Sequence, residues 1–234
     1  MWICRYFIEF VIFSFMGWIW ETVFCTLCNK KWQSRGFLFG PVCPIYGVGA
    51  IGGFALVDIL DLNNFPPLEW WHVIIIGFFG SAVLEYSTSL LLEKLFHAYW
   101  WDYSDFPLNI HGRISFFTSL GFSLAGLLVV YVLYPFCGWL FGSVSGEFIE
   151  LTALIFASAL AVDLALTVSS LSDIIYKMQH IDENVNERMT ELVDAMYKNT
   201  SYISRSVISR IKGVRFKKIE QSNLFKNLIE KIRK

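Results

Sequence analysis

The sequence predicts an all-α membrane protein, a polytopic helix bundle of about five spans followed by a cytoplasmic amphipathic helical tail. Three observations carry this reading. The chain is 55% hydrophobic, 18% aromatic and only 17% charged, with a mean hydropathy of +0.51, where soluble domains carry about 25% charged residues. Apolar runs long enough to cross roughly 30 Å of hydrocarbon recur along it. Finally, the net charge of -1 conceals a split: residues 1–175 hold six Lys and Arg against thirteen Asp and Glu, and residues 176–234 hold thirteen against seven. Two regions with different solvents follow, a transmembrane domain over 1–175 and a basic cytoplasmic tail over 176–234.

Spans of about 20 residues fall near residues 3–28, 41–61, 71–95, 114–138 and 148–172. The first is too long for a cleaved signal peptide, carries Glu9 and Glu21, and has no small-x-small cleavage site after it, so it is expected to remain as a helix. Lys and Arg are retained on the cytoplasmic side. The connections at 29–36 (Lys30, Lys31, Arg35) and 94–113 (Lys94, Arg113) are basic, whereas 62–70 and 139–147 contain no Lys or Arg. This places the N-terminus outside the plasma membrane and the C-terminus inside, with only Arg5 dissenting. Trp2, Trp70, Trp71 and Trp139 fall at the outer boundary and Trp32, Trp100 and Trp101 at the inner one, the depth where amphipathic rings settle. Trp18 and Trp20 do not fit that pattern.

Carboxylates stand inside three spans: Glu21, Glu85 and Asp163. A charge at the centre of a spanning helix costs about 2.5–3.5 kcal/mol on insertion scales, so it usually faces a partner or water. Ser81, Thr88 and Ser89 surround Glu85 at helical spacing, and Thr167 and Ser170 share a side with Asp163. Arg35 and Arg113 stand where they could return to Glu21 and Glu85 as buried ion pairs. Each half of the domain thus reads as helix with acid, basic loop, then Arg at the entrance of the next helix, a pattern of parallel repeats. In Gly40-Pro41-Val42-Cys43-Pro44-Ile45-Tyr46-Gly47 two prolines remove backbone donors. The motif reads either as a re-entrant mouth facing the cytoplasm or as a proline-initiated helix with a glycine packing face.

The stretch Arg35-Gly36-Phe37-Leu38-Phe39-Gly40-Pro41-Val42-Cys43-Pro44-Ile45-Tyr46-Gly47, with Leu84-Glu85-Tyr86, Trp101-Asp102-Tyr103-Ser104, Asn109 and Gly112-Arg113-Ile114, resembles the signature of a bacterial membrane family catalogued as putative ABC-transporter type IV, the CmpB-like permease family. The resemblance covers roughly residues 10 to 140. It implies a permease-like membrane subunit and no particular substrate.

The connection at 97–112 gathers His97, Trp101, Asp102, Tyr103, Asp105, Asn109 and His111. Its spacing is not that of a zinc or calcium site; the expectation is that Asp102 and Asn109 order the loop around Arg113. Cys25-x-x-Cys28 lacks the context of a redox or zinc motif, and no cofactor is expected. The chain contains no G-x-x-x-x-G-K-[ST] loop and no nucleophile elbow, which argues against an enzyme and assigns any ATP hydrolysis to a separate ATP-binding subunit. Five spans are few for a complete path, which favours a homo-oligomer or a partner permease. In the tail, Met178, Ile181, Val185, Met189, Leu192 and Met196 recur at helical spacing, and ten Lys or Arg lie between Arg205 and Lys234. That pattern fits pairing with a second copy, lying on the anionic face of the lipid bilayer, or docking to an ATPase, and fits nucleic acid poorly. The combined expectation is a permease-like subunit with a polar intramembrane cavity built from Glu21, Arg35, Glu85, Arg113, Asp163, Asp102 and Asn109. The alternative is a membrane scaffold or sensor whose buried ion pairs are structural and whose tail recruits a partner.

Overall fold

The computed structural model describes residues 2–30, 32–179, 189–214 and 219–233. Five stretches are long and apolar enough to cross a bilayer: Trp2–Cys28, Pro44–Leu62, Trp70–Phe96, Phe116–Gly142 and Gly146–Met178. They are formed by α1 (Trp2–Asn29), α2 (Pro44–Leu62), α3 (Trp70–Phe96), α4 (Phe116–Leu128) continuing into α5 (Tyr134–Gly142), and α6 (Gly146–Gln179). The tail supplies α7 (Met189–Asn199), α8 (Tyr202–Ser209) and α9 (Ile219–Arg233). The protein is therefore a multi-pass, all-α membrane bundle.

One helix start and one internal turn have local causes. The second helix starts at Pro44, three residues later than the apolar pattern predicts. Proline suits the first helical position because its missing N–H has no intrahelical partner there, and it biases the preceding residue away from helical dihedrals. The fourth span contains a wide turn at Val129–Leu133, where the Tyr134 N–H reaches the Val129 carbonyl. Pro135 follows immediately; its absent donor and ring would break a regular helix, and the wide turn accommodates both.

Polar side chains of the spans gather inside the bundle, beside apolar clusters such as Phe13, Ala50 and Phe54, and large apolar side chains cover its outside. Glu9, Ser14, Thr22, Glu85, Ser89, Ser119, Ser123 and Thr167 are buried, whereas Trp20, Leu27, Leu62, Val83 and Trp139 are exposed, the arrangement expected where the outer solvent is hydrocarbon. α1 packs chiefly on α2 and α6, and α3 on α4, so the two helix pairs expected from the repeated pattern form two hairpins. Gly47 lies against Phe10 and Ser14 with no room for a side chain, and Gly77 lies against the Ser123 backbone. Small residues thus set the closest helix approaches.

The largest core lies at one end of the bundle, where the tail folds back. Leu92, Phe96, Ala98, Trp100, Leu171, Ile174 and Met178 pack with Val193, Val207, Ile208, Ile211, Val214, Leu224, Phe225, Leu228 and Ile229. A short strand, β1 (Ala98–Tyr99), pairs antiparallel with a tail strand at Gly213–Val214, and the two further short strands, β2 (Asn109–Ile110) and β3 (Ile114–Ser115), pair with each other. The expected coverings of the tail are a second copy, lipid or an ATPase, and the packing against the bundle adds the chain itself. The apolar face of α9 is covered by the chain itself rather than left for lipid, and α6 runs past residue 175 without a break. Of the apolar positions read in the tail, Met178, Leu192 and Met196 join this core, while Ile181 and Val185 lie outside the described residues.

Candidate functional site

Between α1 and α2 the chain does not simply turn at the surface. From Asn29 it runs back along α1: the Gln33 N–H donates to Thr26 Oγ1 (3.2 Å), the Arg35 N–H to Thr22 Oγ1 (3.3 Å) and the Cys43 N–H to the Ser14 carbonyl (2.9 Å). At 1.5 Å per residue the step from Asn29 to Ser14 is about 22 Å, so residues 33–43 descend deep into the bundle as non-helical backbone. On the other side, Phe39 N–H donates to Thr167 Oγ1 (2.9 Å) and Gly40 N–H to both Asp163 oxygens (3.1 and 3.0 Å). Thr22 with Thr26, and Asp163 with Thr167, are i, i+4 pairs that each present two acceptors on one helix face. Without them the buried N–H groups would be orphaned at a cost. Gly36, at φ +97°, supplies the one left-handed residue in this descent.

The segment opens a cavity of about 140 Å³, lined by Glu21, Arg35, Gly36, Phe37, Cys43, Pro44, Ile45, Thr88, Leu92, Trp100 and Trp101. Glu21 accepts from the Tyr46 hydroxyl at 3.2 Å and faces Arg35 Nε at 3.9 Å. Arg35 also donates to the Trp100 carbonyl at 3.3 Å. The Glu21 side chain is 31% exposed and that of Arg35 19%, so both reach the cavity while their partners hold them. Glu85 is buried beside this group and accepts from the Tyr103 hydroxyl at 3.1 Å. Burial, reinforced by the carboxylates of Glu85 and Glu21, pushes the Tyr103 phenol well above its ordinary range, so it remains a donor.

Arg113 does not pair with Glu85. Its guanidinium contacts Glu93 at 2.6 Å and the Ser89 hydroxyl at 2.9 Å, and lies over the Tyr86 ring at 5.7 Å. Glu93 stands eight residues nearer than Glu85 to the end of α3, roughly 12 Å along the axis, and Arg113, still in the connection, meets the acid at its own level. Asp102 accepts from the Ser104 N–H (3.0 Å) and hydroxyl (2.5 Å). Asn109 donates to the carbonyls of Ser104 (3.2 Å) and Phe106 (2.8 Å) and accepts from Gly112 N–H (3.1 Å). Gly112, at φ +66°, has no space for a side chain beside Asp102 and Ser104. The loop around Arg113 is organised by these contacts, and Trp101 Nε1 closes it on the Arg113 carbonyl at 3.0 Å. Of the seven residues expected to build the cavity, Glu21 and Arg35 line it, whereas Glu85 is buried against Tyr103, Asp163 anchors Gly40, and Arg113, Asp102 and Asn109 order the connection before α4.

Sequence reasoning missed several residues. Tyr46 and Tyr103 lie within motifs the sequence offers, but their roles as donors to Glu21 and Glu85 were not foreseen. Glu9 and Asp58 are carboxylates within spans, and the rule that flags Glu21 applies to them equally. Glu9 is fully buried and accepts from Arg5 Nε at 2.9 Å, which neutralises the one arginine that dissents from the charge pattern. Asp58 accepts from the hydroxyls of Tyr6 and Tyr134. Arg210 is the largest omission: this tail residue is 5% exposed and donates to the carbonyls of Leu38, Phe39 and Gly40. Burial pulls its guanidinium below the ordinary arginine value, against the attraction of Asp163.

No curated protein and no solved structure shows significant similarity to the chain. The model of one family, described as Putative ABC-transporter type IV, matches residues 8–168, which include most of α1, all of α2 to α5, the descending segment and Asp163. With both hairpins and the cavity inside that match, the chain belongs to this family of putative ABC-transporter components.

Proposed function

We propose that this protein is the permease subunit of an ABC-type transporter, with the cavity beside residues 33–43 as part of its substrate path. The observation that carries the reading is the non-helical backbone at membrane depth. Such backbone is tolerated where protein buries it or where it lines a water-filled cavity, and non-helical backbone at membrane depth also builds substrate sites in other transporters. Glu21 and Arg35 are the polar groups that meet the substrate. Glu85, held by Tyr103, sets the charge behind them, and Asp163, Arg113, Asp102 and Asn109 keep the walls in register. The tail end of the bundle faces the cytoplasm, where a separate ATP-binding subunit supplies the energy. The subunit itself performs no covalent chemistry.

A scaffold or sensor role has one observation in its favour: Asp163, Arg113, Asp102 and Asn109 all hydrogen-bond within the chain, as structural pairs do. Purification from the native membrane with a tag on the tail, followed by mass spectrometry, separates the two. Stoichiometric recovery of an ATP-binding protein supports the permease reading. Recovery of only the chain itself and lipid rejects the ATP-driven version.

A further inference from the structure

Residues 38–40 are held from two sides. Asp163 and Thr167 of α6 accept the N–H groups of Gly40 and Phe39. From the other side Arg210, just after α8, donates through Nη1 to the carbonyls of Leu38 and Gly40 (3.2 Å to the latter) and through Nη2 to that of Phe39 (2.5 Å). Two adjacent nitrogens of one guanidinium therefore bring three consecutive carbonyls together. Among the described residues no carboxylate lies within ion-pairing distance of Arg210, and Asp163 acts on it only through the field. A buried cation is costly unless its donors are filled, and converging carbonyl dipoles repel one another unless a cation sits among them. Carbonyls so arranged replace the hydration shell of a cation, and the planar guanidinium fork matches several of them at once, which an ammonium cannot.

Arg210 is also fixed to everything around it. Ile208, Ile211 and Val214 on either side are buried in the tail core. Lys212 N–H donates to the Tyr99 carbonyl at 2.8 Å, and Arg233 of α9 donates to the carbonyls of Ser209 (3.0 Å) and Ile211. A displacement of the tail would withdraw Arg210 from the carbonyls.

We infer that the carbonyls of Leu38, Phe39 and Gly40 form a guanidinium-binding site inside the bundle, with Arg210 as its tethered ligand, and that through this contact the tail holds the descending segment in place. The inference stands whether or not the cavity carries a substrate. It makes the tail a positioning element: a partner that moves the tail moves the wall of the cavity.

Cys43, buried at the deep end of the segment, is the reporter. In the full-length protein in lipid vesicles, with Cys4, Cys25, Cys28 and Cys137 replaced, maleimide labelling of Cys43 is followed in wild type, Arg210→Ala and Arg210→Lys. Losing hydrogen bonds to a charged partner raises the opened population roughly tenfold to a hundredfold, so labelling of Arg210→Ala is expected to rise at least about tenfold. Free guanidinium, at concentrations far below those that unfold proteins, should return it towards the wild-type rate, and sodium chloride at equal ionic strength should not. Labelling of Arg210→Ala at the wild-type rate overturns the inference, as does a rise that guanidinium fails to reverse. Arg210→Lys keeps the charge and the tail packing, and should label at an intermediate rate. If Arg210→Ala does not fold, a wild-type rate in Arg210→Lys overturns the guanidinium site by itself.

Discussion

Gly40→Ala tests the contact between the descending segment and α6 with a single methyl group. A Cβ at this position would lie 2.7 Å from Asp163 Oδ2 and 3.5 Å from its carboxylate carbon, and these are its contacts among the described residues outside its chain neighbours. Overpacking of this kind typically costs about 1–3 kcal/mol. If Asp163 rotates away instead, the Gly40 N–H loses a charge-assisted hydrogen bond worth about 1.5–3 kcal/mol. By either route Gly40→Ala should destabilise the protein by about 2 kcal/mol. Asp163→Ala alone should cost a similar amount through the lost hydrogen bond. In the double variant the obstacle is gone, so adding the Gly40 methyl to the Asp163→Ala protein should cost less than about 0.5 kcal/mol. The assay is reversible unfolding in mixed micelles of rising sodium dodecyl sulfate, followed by the fluorescence of the nine tryptophans. Penalties that add within about 0.5 kcal/mol would show that the two residues do not meet, and would refute the anchoring of residues 38–40 on α6.

Other predictions follow from the same geometry. Arg113→Gln and Glu93→Gln should each cost about 2–3 kcal/mol in the same assay and be strongly non-additive, because breaking a largely buried pair strands the remaining charge; additivity between them, or coupling of Arg113 to Glu85, would reject the observed partner. Phe225→Ala should cost about 3–5 kcal/mol and make the tail sensitive to trypsin, and resistance equal to wild type would contradict a tail packed on the bundle. Glu21→Gln should shift stability by under about 1 kcal/mol, since its ion pair is long and partly exposed, yet on the proposed permease function abolish substrate-stimulated ATP hydrolysis by the chain purified with its ATP-binding subunit. Unchanged ATP hydrolysis in that variant would remove Glu21 from the substrate path.

The spans were legible because a helix that crosses hydrocarbon must be apolar over about 20 consecutive residues, a demand that composition meets without reference to any partner. The glycine and proline motif was legible to the extent of two readings, and both features occur: Pro44 starts α2, and the residues before it enter the bundle. What fixes that descent was not legible. Thr22 and Thr26 read as ordinary polar residues in a span and Asp163 with Thr167 as a cavity acid and its neighbour, and the role of all four as acceptors depends on the backbone that reaches them. Arg113 was given the wrong partner because spacing in sequence does not reveal the level at which a connection meets a helix. Arg210 was hidden for a stronger reason: its partners lie about 170 residues away and are main-chain carbonyls, which no residue-type pattern can mark. The amphipathic tail pattern correctly locates an apolar face, and leaves open whether lipid, a second copy or the chain itself covers it.

The central claim is that residues 33–43 enter the bundle, where Arg35, Gly36, Phe37 and Cys43 line a cavity, and the proposed function requires that cavity to be reached from the tail end. Single cysteines placed in turn at positions 33 to 43 of an otherwise cysteine-free protein, and challenged from each side of the vesicle with a small charged thiol reagent, test this most directly. The account predicts reaction from the tail side only, fast at Gln33, slower at the cavity-lining position Phe37 and slowest at Cys43. Uniformly fast reaction along the segment, as for a loop lying on the surface, or reaction from the opposite side would contradict it.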